Sequence, residues 1–387
     1  MPQKNIALLI ETSRSYGRGL LQGVASYARL RSDWNLLHQE QALVERVPDW
    51  FHDWNGDGIL ARIETMEVAE AVLERGTPVV DLRSRFRITG LASVDTDPIA
   101  VAELALQHLL ERGVKRFAFC GYPSVDFSAQ RGGHFKALAE DRGYPVEVFE
   151  AIAGDDTPPA NHIEAELRGT LNQDDLCDWV RSLEKPVGVL CSNDVRGRQL
   201  IQACHQANVS VPDEMLIVGM DNDEVVCNLA NPSLSSVSPA VENLGFEAAA
   251  MLQRMMDGEP VPRKVYLNRP THVEARKSTD TVATDDETVI QALSFIRDHA
   301  CAGINVQDVL QDVGISRSTL ERRFLEVIGR TPKEQITQER IGHVKRLLTE
   351  TKFPLSRIAR VTGFKTASHL SVAFKQHAGV TPSAYRQ

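Results

Sequence analysis

The sequence predicts an α/β body built on parallel sheets, followed by an all-α domain carrying two helix-turn-helix motifs. Three observations point there. From residue 6 to about 275, short apolar runs alternate with amphipathic stretches. After a polar, aperiodic segment at 276–286, RKSTDTVATDD, every periodic stretch reads as helix. Within this helical region a single pattern is written twice, as VGISRSTLERRFLEVIGRTP at 313–332 and as TGFKTASHLSVAFKQHAGVTP at 362–382.

Taken in order, IALLIE (6–11) is strand text and GLLQGVASYARL (19–30) is helix text. WNLLHQ (34–39), DGILARI (57–63), a helix over 66–76 and PVVDL (78–82) continue the alternation. IAVAELALQHLLERG (99–113), RFAFCGY (116–122), HFKALAEDRG (134–143) and PVEVFEA (145–151) follow. DLCDWVRSL, PVGVLCSND, RGRQLIQACHQA and EMLIVGMDN complete the body. Strands of about four to seven residues separated by helices of about ten to fifteen imply β-α-β units with helices on both sheet faces. About ten such strands suffice for two sheets.

A chain of 387 residues exceeds one ordinary core, so two or three domains are expected. No apolar run approaches the roughly eighteen residues of a membrane span. The opening MPQKNIALLIETSRS lacks a small-residue cleavage site, which predicts a cytoplasmic protein. Six cysteines form no C-x-x-C pair, which reads as reduced core thiols, with no metal site and no cofactor expected.

The formal charge is -9, but it is unevenly placed. Residues 316–387 hold 14 Lys and Arg against 5 Asp and Glu, so a basic C-terminal region follows an acidic body. That asymmetry suits a nucleic-acid-binding module attached to something else. Helices are predicted over 287–300, 305–312, 317–328, 332–349, 355–361 and 367–377, broken at glycines and at Pro354.

The two copies align at an offset of 50, pairing Leu320 with Leu370, Phe324 with Phe374 and Gly329 with Gly379. In each, a short helix ends at a glycine, an apolar residue plugs the corner, and a second helix starts at a Ser or Thr cap. Leu and Phe at i and i+4 face inward, so the opposite strip is exposed. In the first reading helix that strip is Arg317, Ser318, Thr319, Glu321 and Arg322; in the second it is Ala367, Ser368, His369, Val372 and Lys375. Arg reads guanine with a two-bond fork, Ser and Thr adapt, and Val meets a thymine methyl. Two such helices joined by one long helix can enter successive major grooves of double-stranded operator DNA. The stretch RLLTETKFPLSRIARVTGF followed by FKQHAGVTPSAYR resembles the second motif of AraC-type regulators. That family often places Arg where this chain has Val372.

In open parallel sheets, ligands sit beyond the carboxyl ends of the strands. Those ends carry Glu11 to Arg14, Gly121 and Tyr122, Asn193 and Asp194, and Asp221. Carboxylates, amides and an arginine together suit a small polyol, whose hydroxyls both donate and accept. The body resembles the sugar-sensing domain of LacI/GalR-type repressors, similar in turn to periplasmic sugar-binding proteins. The matching text is VDTDPIAVAELALQHLLERGVKRFAFCGY, SNDVRGRQLIQACHQANVSVPDEMLIVGMDN and NPSLSSVSPAVENLGFEAA. The resemblance implies a two-lobed, periplasmic-binding-protein-like sensor over 1–275 with sugar held by Arg131, Asp194 and Asp221, to which the strand-end rule adds Arg14. Each also has a plainer reading: Asp194 as a helix cap, Asp221 as loop polarity, Arg131 and Arg14 as surface ion-pair members.

A sensor of this kind joined to an AraC-type reader at 287–387 is the arrangement of bacterial xylose operon regulators, which the chain resembles along its length. The resemblance implies D-xylose as effector, activation of transcription, a homodimer and contact with RNA polymerase. The competing readings are a regulator that responds to another sugar, a transport-linked sugar-binding protein, and a nicotinamide enzyme, the last from GRGLLQG at 17–23, whose third glycine falls one residue late for the dinucleotide fingerprint.

Overall fold

A computed structural model describes the chain except for residues 1–2, 32, 44–45, 87, 123–124, 151–161, 172, 282–283, 285, 352 and 387. It divides into two compact units, residues 1–280 and 281–387.

The first unit contains two six-stranded sheets. Its strands in chain order are β1 (Lys4–Leu9), β2 (Trp34–His38), β3 (Gly58–Ala61), β4 (Val79–Asp81), β5 (Ala92–Thr96), β6 (Phe117–Cys120), β7 (Val146–Val148), β8 (Val187–Cys191), β9 (Met215–Met220), β10 (Ser235–Ser238), β11 (Val265–Asn268) and β12 (His272–Glu274). One sheet runs β11-β5-β4-β3-β1-β2 and is wholly parallel. The other runs β12-β10-β9-β8-β6-β7 and is parallel except for β12 at its edge.

Alternate residues of each strand serve opposite faces, as the period of two demands. In the first sheet Ile6, Leu8, Leu60, Val80 and Val94 pack with Leu20 and Leu244 on one face. Ala7, Leu9, Ile59, Ala61 and Val79 pack with Phe51 and Val72 on the other. Both faces are therefore covered, which is why these strands read as continuous apolar runs.

The chain crosses between the sheets three times, around Asp97, Pro239 and the turn after Asn268, and the crossings are tied together. The Asp97 N–H donates to the Asn268 carbonyl at 2.9 Å, and Thr271 N–H donates to Ser238 at 2.9 Å. Asn268 Nδ2 donates to the Ala240 carbonyl at 3.3 Å.

The glycines of GRGLLQG serve packing. Gly19 and Gly23 lie in helix Ser15–Ala28, which lies against helix Val241–Met256. A Cβ on Gly23 would stand 2.0 Å from the Glu242 carbonyl oxygen, and one on Gly245 would stand 2.2 Å from that of Leu20. Close packing against Glu11 at Gly17, against the Val241 side chain at Gly19 and against the facing helix backbone at Gly23 accounts for the spacing that imitated a dinucleotide fingerprint.

Residues 276–280, expected as the start of a linker, are instead docked on β10. Ser278 and Thr279 are fully buried. Ser278 Oγ donates to the Ile217 carbonyl at 2.6 Å and accepts from Ser235 N–H at 2.8 Å. A segment of Thr, Asp and Ser reads as loop in sequence, yet the Ser278 hydroxyl here satisfies buried backbone groups.

The second unit is helical, with helices Glu287–His299, Val306–Val313, Arg317–Ile328, Pro332–Glu350, Leu355–Val361, Ala367–Ala378 and Pro382–Tyr385. It has two small cores. Val289, Leu293, Ile296, Val309, Leu320, Phe324 and Ile336 form one. Ile341, Val344, Leu348, Ile358, Phe364, Leu370 and Phe374 form the other. Helix Pro332–Glu350 contributes to both, and its start is fixed by a capping box between Thr331 and Glu334. Where the cores meet, Arg340 donates to the carbonyls of Ala300 at 2.8 Å and Ile304 at 2.7 Å. Gly363 is needed there twice over: its φ is +73°, and a Cβ would stand 2.8 Å from the Ala300 carbonyl oxygen.

Among the described residues no helix is long and apolar enough to cross a membrane. Five cysteines are buried, Cys301 is half-buried, and none of the six is in a disulfide.

Candidate functional site

The carboxyl ends of both sheets face one cleft that is open to solvent. All four residues expected to bind ligand line it: Arg14, Arg131, Asp194 and Asp221. So do Asn193, one of the strand-end residues named from the sequence, and Arg62, Arg83, Asp95 and Glu166, which were not singled out there.

Arginines and carboxylates alternate around the wall. Arg14, at the mouth of helix Ser15–Ala28, pairs with Glu166 of helix His162–Leu171. The second oxygen of Glu166 accepts from Asn193 Nδ2 at 2.8 Å. Arg62 is held by Glu11 and, at 3.2 Å, by Glu64. Arg83 reaches Glu64 at 3.3 Å, Asp95 at 3.6 Å and Asp126 at 3.1 Å. His162 Nδ1 lies 3.6 Å from Glu64. Three of these contacts, Arg14 with Glu166, Arg83 with Asp126 and Glu64 with His162, join one lobe to the other across the cleft.

Arg131 donates to the Ser192 carbonyl and stands 3.8 Å from Asp221. Two aromatic rings floor the site: the Arg62 guanidinium lies 4.9 Å from the centre of Tyr16, and that of Arg131 lies 5.0 Å from the centre of Phe127. Tyr16 is also tied by its hydroxyl to Thr96 at 2.9 Å. Tyr122, another aromatic at a strand end, is instead buried behind the wall, with its hydroxyl on Gln199.

The electrostatics follow from burial and pairing. Burial pushes the Glu64 carboxyl up, but Arg83, Arg62 and His162 outweigh it and hold it well below the usual range. Asp221 goes the other way, raised by burial against the opposing pull of Arg131 and Arg62. Asp194 is pushed up to about 8 by burial and by the neighbouring Asp221 charge.

Asp194 has a specific local task. Asn193, not Asp194, caps helix Asp194–Ala207, accepting from Arg196 N–H at 2.9 Å. Both oxygens of Asp194 are taken, one by Ser236 Oγ at 2.5 Å and one by Asp223 N–H at 2.7 Å. Its side chain therefore supports the turn that carries Asp221. Of the two, Asp221, with 27% of its side chain exposed, is the carboxylate that faces the cleft.

In the second unit the expected strips are largely on the surface. Arg317, Ser318, Arg322, Ser368, His369, Val372 and Lys375 are exposed, while Leu320, Phe324, Leu370 and Phe374 are fully buried beneath them. Thr319, Glu321 and Ala367 are half-buried. Arg317 pairs with Glu321 at 2.8 Å and Arg322 with Glu326 at 2.9 Å. Such exposed i,i+4 pairs contribute only about 0.3–0.5 kcal/mol, less than the roughly 1–3 kcal/mol of a forked contact with guanine, so both arginines are free to exchange partners. Arg323 differs: it is anchored to Asp286 at 2.9 Å and to Thr288 at 3.0 Å, bracing the entry to the unit.

Comparison with known proteins divides the same way. Residues 5–91 match the family described as the XylR N-terminal domain, 106–279 a periplasmic binding protein-like domain, and 309–387 a helix-turn-helix domain. The xylose operon regulatory protein of Escherichia coli (strain K12) is 32% identical over 391 residues, 98% of this chain and 96% of that protein. That of Haemophilus influenzae (strain ATCC 51907 / DSM 11121 / KW20 / Rd) is 30% identical over 389 residues, 98% and 97% of the two chains. A solved structure described as the xylose-binding transcription activator xylR superposes with a TM-score of 0.81 at 31% identity, covering 100% of this chain and 98% of that one.

Proposed function

This chain belongs to the xylose operon regulatory protein family, and on that premise we propose that it is a cytoplasmic transcription regulator that binds D-xylose in the cleft and operator DNA with its two reading helices. The observation that carries the sugar half is a two-lobed cleft walled by alternating guanidiniums and carboxylates, with Asp221 free to accept. A pentose hydroxyl both donates and accepts, so a wall of fixed acceptors and donors matches it group for group. Asp221 accepts from hydroxyls, Arg131 and Arg14 donate to them, Asn193 with Glu166 presents a mixed edge, and Asp194 holds the turn beneath. Phe127 and Tyr16 supply flat apolar surface for the ring.

Closure of the lobes on sugar is the differential interaction that shifts the sensor toward one arrangement. In our reading a homodimer converts that shift into a new presentation of its DNA readers, and promoter output rises through contact with RNA polymerase. Support for activation comes from the family: the solved relative is described as an activator. Arg317, Ser318 and Arg322 read one groove; Ser368, His369 and Val372 read the next, with Lys375 on phosphate.

The test is calorimetric titration with D-xylose, with L-arabinose, D-ribose and D-glucose as controls, on wild type and Asp221→Ala. Hydrogen bonds to a charged group are worth about 1.5–3 kcal/mol, so the variant should bind about 10- to 150-fold more weakly. Unchanged affinity in Asp221→Ala removes the cleft assignment; heat from another sugar alone removes D-xylose.

A further inference from the structure

The turn carrying Asp221 is unusual in its backbone. Asp221 has φ +108° and Asn222 has φ +48°, two successive non-glycine residues at positive φ. Such conformations persist only where surrounding bonds hold them, and they cluster at ligand clamps and switch regions. Three bonds hold this one: Asp221 N–H to the Val237 carbonyl at 3.3 Å, Asn222 N–H to Ser236 Oγ at 3.0 Å, and Asp223 N–H to Asp194 at 2.7 Å.

Asp221 and Asp223 line the cleft, while the side chain of Asn222 between them turns away from it. Its Oδ1 accepts from Arg276 Nη2 at 2.8 Å. Arg276 also donates through Nη1 to the Leu234 carbonyl at 3.0 Å, and its backbone N–H and carbonyl are both engaged by Ser235 Oγ, at 2.8 and 3.0 Å. Three residues on, Thr279 Oγ1 bonds Ser235 Oγ at 2.7 Å and His108 Nε2 at 2.9 Å, and the Thr279 carbonyl accepts from Arg112 at 2.7 Å. Asp280 ends the first unit. The strained turn that presents Asp221 is thus bonded to the guanidinium of Arg276, whose own backbone opens the run 276–280 at the end of the first unit.

We propose that Arg276 is the positioning residue that couples the cleft to the segment leading into the DNA-binding unit, through Asn222. The proposal rests on the sugar reading of Asp221. Sugar on Asp221 resets the 221–223 turn, Asn222 shifts its amide, and the fork of Arg276 carries the change to residues 276–280. Arg276 touches no ligand. Its role is to make the turn and the exit segment move as one, which a point charge without the fork would not do.

Two variants separate coupling from mere bracing. Asn222→Gly keeps the positive-φ backbone and deletes only the acceptor; Arg276→Lys keeps the charge and deletes the fork. Each is made in the full chain and titrated with D-xylose. Its affinity for a duplex selected from random DNA by the wild type is then measured with and without saturating sugar. Both variants are expected to bind D-xylose within about threefold of wild type, while the ratio of duplex affinities with and without sugar falls to near one from the roughly 5- to 150-fold of ordinary allosteric coupling. A wild-type ratio in either variant overturns the proposal.

A second arm needs no sugar. Asp221→Ala is placed in the wild-type and Arg276→Lys backgrounds, and amide hydrogen exchange is followed at residues 278–280. Coupling requires that Asp221→Ala speeds exchange there in the first background and adds nothing in the second; equal effects in both overturn it. A wild type that gives no heat with D-xylose defeats the sugar reading alone, and this arm still decides the coupling.

Discussion

Leu320 and Leu370 occupy equivalent places in the two cores of the DNA-binding unit, and both are fully buried. Truncating either to alanine removes its transfer free energy and leaves a cavity, which together cost about 2.7–5 kcal/mol for buried leucines. A unit of about 100 residues has some 5–15 kcal/mol of stability in all, so each half-sized core commands only a few. Leu370→Ala should therefore bring the second core close to its unfolding midpoint while Val289, Leu293, Phe324 and their neighbours stay packed. Hydroxyl-radical footprinting on a selected duplex reads the outcome. Leu370→Ala is expected to lose protection over the half contacted by Ala367–Ala378 and keep the other; Leu320→Ala is expected to do the reverse. Loss of both halves in either variant would mean that helix Pro332–Glu350 fuses the cores into one cooperative unit, and the two-core account would be wrong.

Stability of the sensor should fall as pH rises through neutrality. Burial pushes Asp81 up to about 7 and Asp194 up to about 8, both above their unfolded values near 3.9. Between those limits the folded state holds more protons than the unfolded one, so these groups favour folding at low pH and lose that contribution as each titrates. Melting temperature measured from pH 5 to 8.5 should decline, and Asp194→Asn should flatten the upper end of the curve; an unchanged slope in that variant would exonerate Asp194. Gly363→Ala should weaken binding to a duplex with both half-sites, because the new methyl meets the Ala300 carbonyl and an L residue at φ +73° costs about 1–2 kcal/mol more. Competition gel shifts check it, and wild-type affinity would show that the contact at Arg340 does not set the spacing of the readers.

The DNA-binding unit was the most legible region of the sequence. Its first six helices begin and end within one residue of the predicted bounds, since five of them carry a side-chain N-cap and three stop at a glycine, while the short Pro382–Tyr385 was not expected. In the sensor, the long apolar strands were plain, but β5, β10, β11 and β12 were not. ASVDT, SSVS, VYLN and HVE are short and half polar, and β11 and β12 are edge strands with little apolar surface to cover. The strand-end rule brought Arg14, Asp194 and Asp221 to one cleft. Applied to β3 and β4 it would also have found Arg62, the residue after β3, and Arg83, two residues after β4. Glu166 could not be read at all: it meets Arg14 from 152 residues away, on a helix whose sequence carries no such signal. The task of Asp194 was illegible for a similar reason, since its partners Ser236 and Asp223 are set by tertiary packing.

The three crossings between the sheets also bear on how the protein is made. Each lobe is assembled from two separated stretches: the first sheet waits for β11, and the second waits for β12 and the buried Ser278. Neither lobe can close while the ribosome is still working on the stretch between Thr96 and Val265, so the sensor matures late and all at once. The helical unit is translated after it, and its two cores form from local contacts that need no such wait. A chain released early is thus a sensor without a reader, and translation does not supply the reverse, a reader loose on the chromosome with nothing to govern it.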